Sequence, residues 1–223
     1  VIRVLEELED ERIQDLESAP RVSVYTAPST GMYSKEYWAP ELHYIDGCWY
    51  IYVAADDGNN ANHRMHVLRS TEPDNAQAPY EYVGKLTPTK YNESTKTWEP
   101  DAAQDKWAID GTVIQDEVSG RNYFVWSGWE GNVDGMQITY IAEMLNPWTL
   151  KGDRVELSRP DQGWDQKGHG EGGGLELNEG QQIVYRNGKV YIFYSANFSG
   201  SDWYCLGQIT AELGKDLTDK NNW

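Results

Sequence analysis

Three acidic residues, Glu41, Asp110 and Glu179, stand at a constant interval of 69 residues, each near the start of a run rich in Tyr, Val, Ile and Trp. Two carboxyl groups flanking a glycosidic bond can cleave it, one protonating the leaving oxygen and the other acting as base or nucleophile. Carboxylates that crowd together also raise one another's proton affinity, which keeps one of them protonated near neutral pH. That chemistry requires residues far apart in sequence to reach one place, so the elements that carry them decide the reading.

Those elements read as antiparallel β structure. Stretches 41–53, 110–127 and 179–195 share one plan: an acidic residue, a strand, a turn, and an aromatic-rich returning strand. Asp46-Gly47 and Asn187-Gly188 accept the positive φ angles of a tight type I′ turn, and Ser119-Gly120 suits a longer one. A third strand is expected at 63–70, 136–144 and 204–210, and a fourth at 80–86 and 154–158. Four strands per repeat around an axis describe propeller blades. A β-sandwich would give no reason for each first strand to open on a carboxylate. The fold class expected is therefore all-β, a partial β-propeller with about three to four blades, forming one domain over 1–223. Residues 1–30 would end a first blade, with strands at 2–5 and 22–26. Residues 31–95 and 96–165 would form the second and third blades, and 166–223 an incomplete fourth. The innermost strands line the channel of a propeller, so Glu41, Asp110 and Glu179 are expected to converge at its mouth.

The residues around these carboxylates resemble glycoside hydrolase family 43. The resemblance rests on Trp38-Ala39-Pro40-Glu41, Trp107-Ala108-Ile109-Asp110-Gly111-Thr112-Val113, Tyr123 to Trp129, Asn146-Pro147-Trp148-Thr149-Leu150 and Asn178-Glu179-Gly180. It implies a five-bladed propeller that hydrolyses arabinosides or xylosides with inversion. The stretches 54–64 and 126–131 look most like the α-L-arabinofuranosidase members. By the same resemblance Glu179 is the general acid, and Asp110 orients it and raises its pKa. Glu41 supports the site or touches substrate, and Trp38 stacks on a sugar ring or serves in packing. The family's general base, an Asp opening the first blade, is expected upstream of Val1. The last blade, with its His-containing loop, is expected beyond Trp223. Gln181 stands where the family usually has Pro, and residues 167–174 make an unusually glycine-rich loop. Both bear on where Glu179 points.

Composition narrows the alternatives. With 36 acidic and 19 basic residues the formal net charge is −17, which repels phosphate backbones and anionic membranes. Nucleic acid and membrane partners are not expected; a neutral polysaccharide containing arabinose or xylose is. The 10 Trp and 15 Tyr against 3 Phe favour rings with an apolar face and a polar edge, which suit a wet sugar-binding surface. No cofactor and no metal are expected: His43, His63, His66 and His169 lack zinc spacing, and Asp56-Asp57-Gly58-Asn59-Asn60 reads as a turn without the closing Glu of a calcium loop. The glycine-rich loop lacks the Gly-Lys-Ser/Thr ending of a phosphate loop, and no Gly-x-Ser-x-Gly elbow occurs. Cys48 and Cys205 could pair or stay free. Asn92-Glu93-Ser94 and Asn197-Phe198-Ser199 fit the glycosylation acceptor pattern. An extracellular protein is expected, monomeric if its propeller is complete. The rival functional reading is a non-catalytic carbohydrate-binding propeller lacking the base. A protein-interaction propeller would carry Trp-Asp repeats, which are missing here, and would leave channel carboxylates without a task.

Overall fold

A computed structural model describes residues 1–5, 20–167 and 176–223. Strands β1 (Ile2–Leu5) and β2 (Arg21–Tyr25) form a small antiparallel sheet. β3 (Lys35–Ile45), β4 (Cys48–Asp56), β5 (Arg64–Ser70) and β6 (Tyr80–Lys85) follow as an antiparallel meander. The hairpin of β7 (Thr87–Asn92) and β8 (Thr97–Pro100) comes next. A second meander is made of β9 (Ala108–Asp116), β10 (Arg121–Gly128), β11 (Ile138–Asn146) and β12 (Thr149–Ser158). Last come β13 (Asn178–Arg186), β14 (Lys189–Ala196) and β15 (Cys205–Glu212). The chain is all-β, and its sheets succeed one another as the blades of a partial propeller, as the hairpin repeat predicts.

The turns explain the hairpins. Asp46 and Gly47 adopt φ of 49° and 78°, and Asn187 and Gly188 adopt 52° and 72°, so Ile45 pairs with Cys48 and Arg186 with Lys189. Between β9 and β10 the loop is longer. There the Asp116 carboxylate accepts the amides of Val118 and Ser119 at 3.0 and 3.2 Å and the Ser119 hydroxyl at 2.7 Å.

Side chains alternate along a strand, so one strand can serve two cores. On β4, Ile51 and Val53 pack with Ile2, Val24, Leu68 and Tyr80, between the first two sheets. The intervening Tyr50, Tyr52 and Ala54 face the next sheet and meet Met65, Val67, Phe124 and Trp126. On β10 the pattern recurs: Phe124 and Trp126 join that second core, while Tyr123 and Val125 turn to Ile114, Ile141, Val190, Ile192 and Leu217 in a third. Burial of both faces is why these central strands read as nearly continuous apolar runs.

The β7–β8 hairpin is not anticipated from sequence. Pro88 and Pro100 lie within it, and Pro argues against a strand that must donate on both sides. The hairpin is tolerated because its contact with the next sheet is brief: Thr87 and Pro88 pair in parallel with Thr149 and Leu150 of β12. The Thr89 hydroxyl adds a bond of 2.6 Å to the Leu150 carbonyl.

Cys48 on β4 and Cys205 on β15 are both free thiols. Asn197 is buried, and its amide nitrogen donates to the Trp164 and Trp203 carbonyls, each at 3.0 Å. The expectation of a glycan acceptor there is therefore corrected, because the nitrogen that would carry the sugar is enclosed. No helix among the described residues is long and apolar enough to cross a membrane.

Candidate active site

Each inner strand carries the same irregularity. Trp38 pairs with Ala54 and Glu41 with Tyr52, so two residues, Ala39 and Pro40, oppose a single position on β4. On β9, Ile109 pairs with Ser127 and Thr112 with Val125, which leaves Asp110 and Gly111 in the bulge. On β13, Glu179 pairs with Ser195 and Gln182 with Phe193, which leaves Gly180 and Gln181. The first bulge residue is left-handed in all three, with φ of 42° at Ala39, 53° at Asp110 and 64° at Gly180. Bulges re-aim side chains and concentrate near functional sites; Asp tolerates that conformation better than most residues.

This geometry corrects the expected equivalence of the three carboxylates. Asp110 corresponds to Ala39 and Gly180, whereas Glu179 occupies the step before the bulge and Glu41 the step after it. Glu41 does not open its strand either, since β3 begins at Lys35. Unequal loops make up the difference and produce the constant interval of 69.

The consequence is a division of the three acids. Trp38, Asp110 and Glu179 line one cavity of about 320 Å³, together with Asn60, Trp107, Ile109, Trp129, Asp134 and Gln137. Glu41 lines a different cavity of about 580 Å³ on the axis, where β3, β9 and β13 meet with His43, Gln115, Gln182 and Tyr185. There its carboxylate accepts Gln182 Nε2 at 2.5 Å and lies 3.0 Å from His43 Nε2.

Glu179 is held through its neighbours. Asp110 Oδ2 accepts the Gly180 amide at 3.0 Å, tying the bulge of β9 to that of β13. Gln137 and Leu177 form a parallel bridge, in which the Gln137 amide donates to Glu176 and the Asn178 amide returns to Gln137, both at 3.0 Å. The Ser127 hydroxyl shares its hydrogen between Gln137 Oε1 at 3.1 Å and the Asn178 carbonyl at 3.0 Å. Asn178 Nδ2 reaches Ser158 Oγ at 2.9 Å. Gln181, which stands where the family pattern has Pro, is buried and donates to Thr139 Oγ1 at 2.9 Å. It thus anchors the bulge while Glu179 remains on the cavity wall. Most of the glycine-rich loop, with His169, lies outside the described residues.

Burial pushes the Glu179 carboxyl up to about 7, and the charge of Asp110 adds to the rise. Burial also raises Asp110, against the lowering effect of the Gly180 N–H, with Glu41 contributing repulsion. A carboxyl held protonated near neutrality beside an acidic neighbour is a proton donor in waiting.

The aromatic wall has a layered build. Trp107 and Trp129 stack at 4.2 Å with 3° between their planes, and each is only 2% exposed. Trp107 Nε1 donates to the Asn60 carbonyl at 2.8 Å and its backbone amide to Asn132 Oδ1 at 3.0 Å. Trp38 is 38% exposed and offers the accessible ring. The motifs quoted for the resemblance contain Trp107 and Trp129, yet sequence reasoning gave them no role. The β9–β10 hairpin register, which sets Ala108 against Gly128, is the signal that makes them cross-strand neighbours.

Among the described residues, Glu36, Asp56 and His63 bring potential metal-ligand atoms within 4.8 Å of one another. The Asn60 carbonyl lies 3.3 Å from His63 Nδ1 in hydrogen-bonding direction. In the 56–60 turn one oxygen of each carboxylate accepts from the turn's own backbone: Asp56 Oδ1 accepts the Gly58 amide at 2.8 Å and Asp57 Oδ1 the Asn59 amide at 3.2 Å.

The chain is 33% identical over 216 residues to "Alpha-L-arabinofuranosidase 43" of Humicola insolens, covering 95% of this chain and 39% of that protein. It is 32% identical over 209 residues to "Extracellular exo-alpha-(1->5)-L-arabinofuranosidase" of Streptomyces chartreusis, covering 93% and 57%. The chain thus spans roughly two-fifths to three-fifths of the curated relatives it matches. Among solved structures, an alpha-L-arabinofuranosidase from Lactobacillus brevis superposes with a TM-score of 0.75 at 28% identity, covering 96% of this chain and 62% of that one. The sequence profile of Glycosyl hydrolases family 43 matches residues 11–223. With three bulged inner strands, a paired Asp110 and Glu179, and that match across nearly its whole length, the chain belongs to glycosyl hydrolase family 43.

Proposed function

We propose that the protein hydrolyses terminal α-L-arabinofuranosyl linkages in plant cell-wall polysaccharide, with inversion, and acts outside the cell. The observation that carries this reading is a carboxyl raised to about 7, Glu179, on one cavity wall with Asp110 and an accessible indole, Trp38. Glu179 would protonate the departing glycosidic oxygen. Asp110 would hold the Glu179 backbone through Gly180 and keep the acid protonated by its charge. Trp38 would present a flat apolar face to the pentose, whose C–H groups pack against such rings.

Inversion requires a second carboxylate to activate water across the sugar, about 6.5–9.5 Å from the acid. The family resemblance assigns that task to an Asp of the preceding blade. The relatives' names support arabinose over xylose, and the word extracellular in one of them supports the location.

The test is to incubate the protein with an arabinan-derived oligosaccharide and follow the anomeric configuration of released arabinose by proton NMR. The reading expects the β-anomer first and its loss with Glu179→Gln. Retained configuration, or binding with no turnover by a protein that carries the Asp of the preceding blade, would refute it; the latter result would favour the non-catalytic carbohydrate-binding alternative.

A further inference from the structure

The cavity that holds Glu179 is walled largely by apolar groups, Trp38, Trp107, Ile109 and Trp129, and Asp110 and Glu179 are committed to the acid chemistry. A site of that make-up takes its selectivity from the few polar groups that remain. Three side chains qualify: Asn60, Asp134 and Gln137. Asn60 and Asp134 are exposed, whereas Gln137 is only 8% exposed.

Gln137 is fixed on several sides. Its backbone amide donates to Glu176 and its carbonyl accepts the Asn178 amide, both at 3.0 Å, so it lies against the residue that precedes Glu179. The Ser127 hydroxyl holds its Oε1 at 3.1 Å. The other end of the carboxamide, Nε2, makes no hydrogen bond to any described residue, yet it is not sealed in the interior. Because the side chain is otherwise enclosed and borders this cavity, that opening leads into the cavity. Two N–H donors are therefore presented there with their direction already set.

We propose that Gln137 determines specificity in this cavity: its Nε2 donates to a hydroxyl of the terminal arabinofuranosyl unit, beside the bond that Glu179 protonates. The proposal rests on the reading of the cavity as an arabinoside site and deepens it. Asn60 and Asp134 must lose rotamer freedom to bind, and Gln137 has lost most of its own already. The acceptor that meets it is a neutral oxygen, since Asp110, Asp134 and Glu179 on the same walls repel an anionic ligand. A ligand of the same shape without that hydroxyl leaves the enclosed amide unpaired, and is rejected for it.

The test alters each partner of the contact in turn. In a protein that carries the Asp of the preceding blade, kcat/KM is measured for a nitrophenyl α-L-arabinofuranoside and for its three monodeoxy analogues, with Gln137 intact and with Gln137→Met. On the parent substrate the substitution is expected to lower kcat/KM by about 10–100-fold. On one deoxy analogue it should cost less than about threefold, because the hydroxyl that Nε2 would meet is already gone.

An equal loss on all the substrates overturns the proposal, because that is the result of a purely structural Gln137 acting on Glu179 through Ser127 and the strand bridge. A loss below about threefold on the parent overturns it too. Should the Met variant not fold, Gln137→Asn, which withdraws the amide by one carbon and keeps it polar, is read in the same way. If the unaltered protein cleaves no arabinoside, the arabinoside reading falls and takes this proposal with it; turnover of the parent with equal losses strikes the role of Gln137 alone.

Discussion

The carboxylate of Asp110 accepts the backbone amide of Gly180 at 3.0 Å, one residue beyond Glu179. A single contact therefore joins two inner strands at their bulges and brings a negative charge beside the acid it positions. Asp110 acts on Glu179 through geometry and through field, and the two effects are separable by substitution.

Activity should follow the protonation of Glu179. The carboxyl is raised to about 7, so kcat is expected to fall as pH rises through about 7. Glu179→Gln should lower kcat by ~10²–10⁴ on substrates with poor leaving groups and abolish this alkaline limb. A pH–rate series on both proteins checks it.

The same shift has a stability sign. A carboxyl whose folded pKa lies above its unfolded value of 4.5 favours the native state below that unfolded value and loses this advantage as pH rises through about 7. At pH 8, Glu179→Gln is expected to be more stable than the unaltered protein by about 1–3 kcal/mol, and nearly equal at pH 4. Denaturant titrations at the two pH values measure the difference.

Asp110→Asn keeps a side chain that tolerates φ of 53° and can still accept the Gly180 amide. Only the charge is lost, so the alkaline limb of Glu179 should move to lower pH, and because burial raises Asp110 itself, stability at neutral pH should hold or rise. Asp110→Ala removes the acceptor and strains the backbone as well, at a cost of about 1–2 kcal/mol. Comparing the two variants by kinetics and thermal melting separates field from geometry.

Gly111 has no room for a methyl group. A Cβ there would meet Phe124 Cζ at 2.2 Å and Met65 Cε at 2.9 Å, inside the core between two sheets. Gly111→Ala should destabilise by about 1–3 kcal/mol, readable as a lower Tm, and should disturb the neighbouring Asp110 enough to reduce kcat.

Glu41 belongs to the axial cavity with Gln182 and His43. Glu41→Gln is expected to reduce kcat/KM by less than about tenfold, well short of the Glu179→Gln loss. A loss as large as that of Glu179 would place Glu41 in the chemistry.

The hairpins were legible because their turns are explicit: Asp46-Gly47 and Asn187-Gly188 specify both the loop and the pairing. Strand order followed from the repeat of aromatic and branched runs. The bulges were hidden, because an extra residue changes the register by one step while leaving the hydrophobic pattern readable on both sides. That is why Glu41 looked equivalent to Asp110 and Glu179. His63 was given no role because no short sequence spacing marks a histidine whose neighbours are Asp56 and two backbone carbonyls. The β7–β8 hairpin was masked by its prolines.

That hairpin has a mechanical meaning. Only Leu86 separates the last strand of one meander from β7, which immediately lies along β12, the outermost strand of the next. The peptide thus works as a clasp across the rim, so neither sheet can swing outward without peeling the other. It also covers the start of the outer border of β12, at Thr149 and Leu150, the kind of open border that invites self-association.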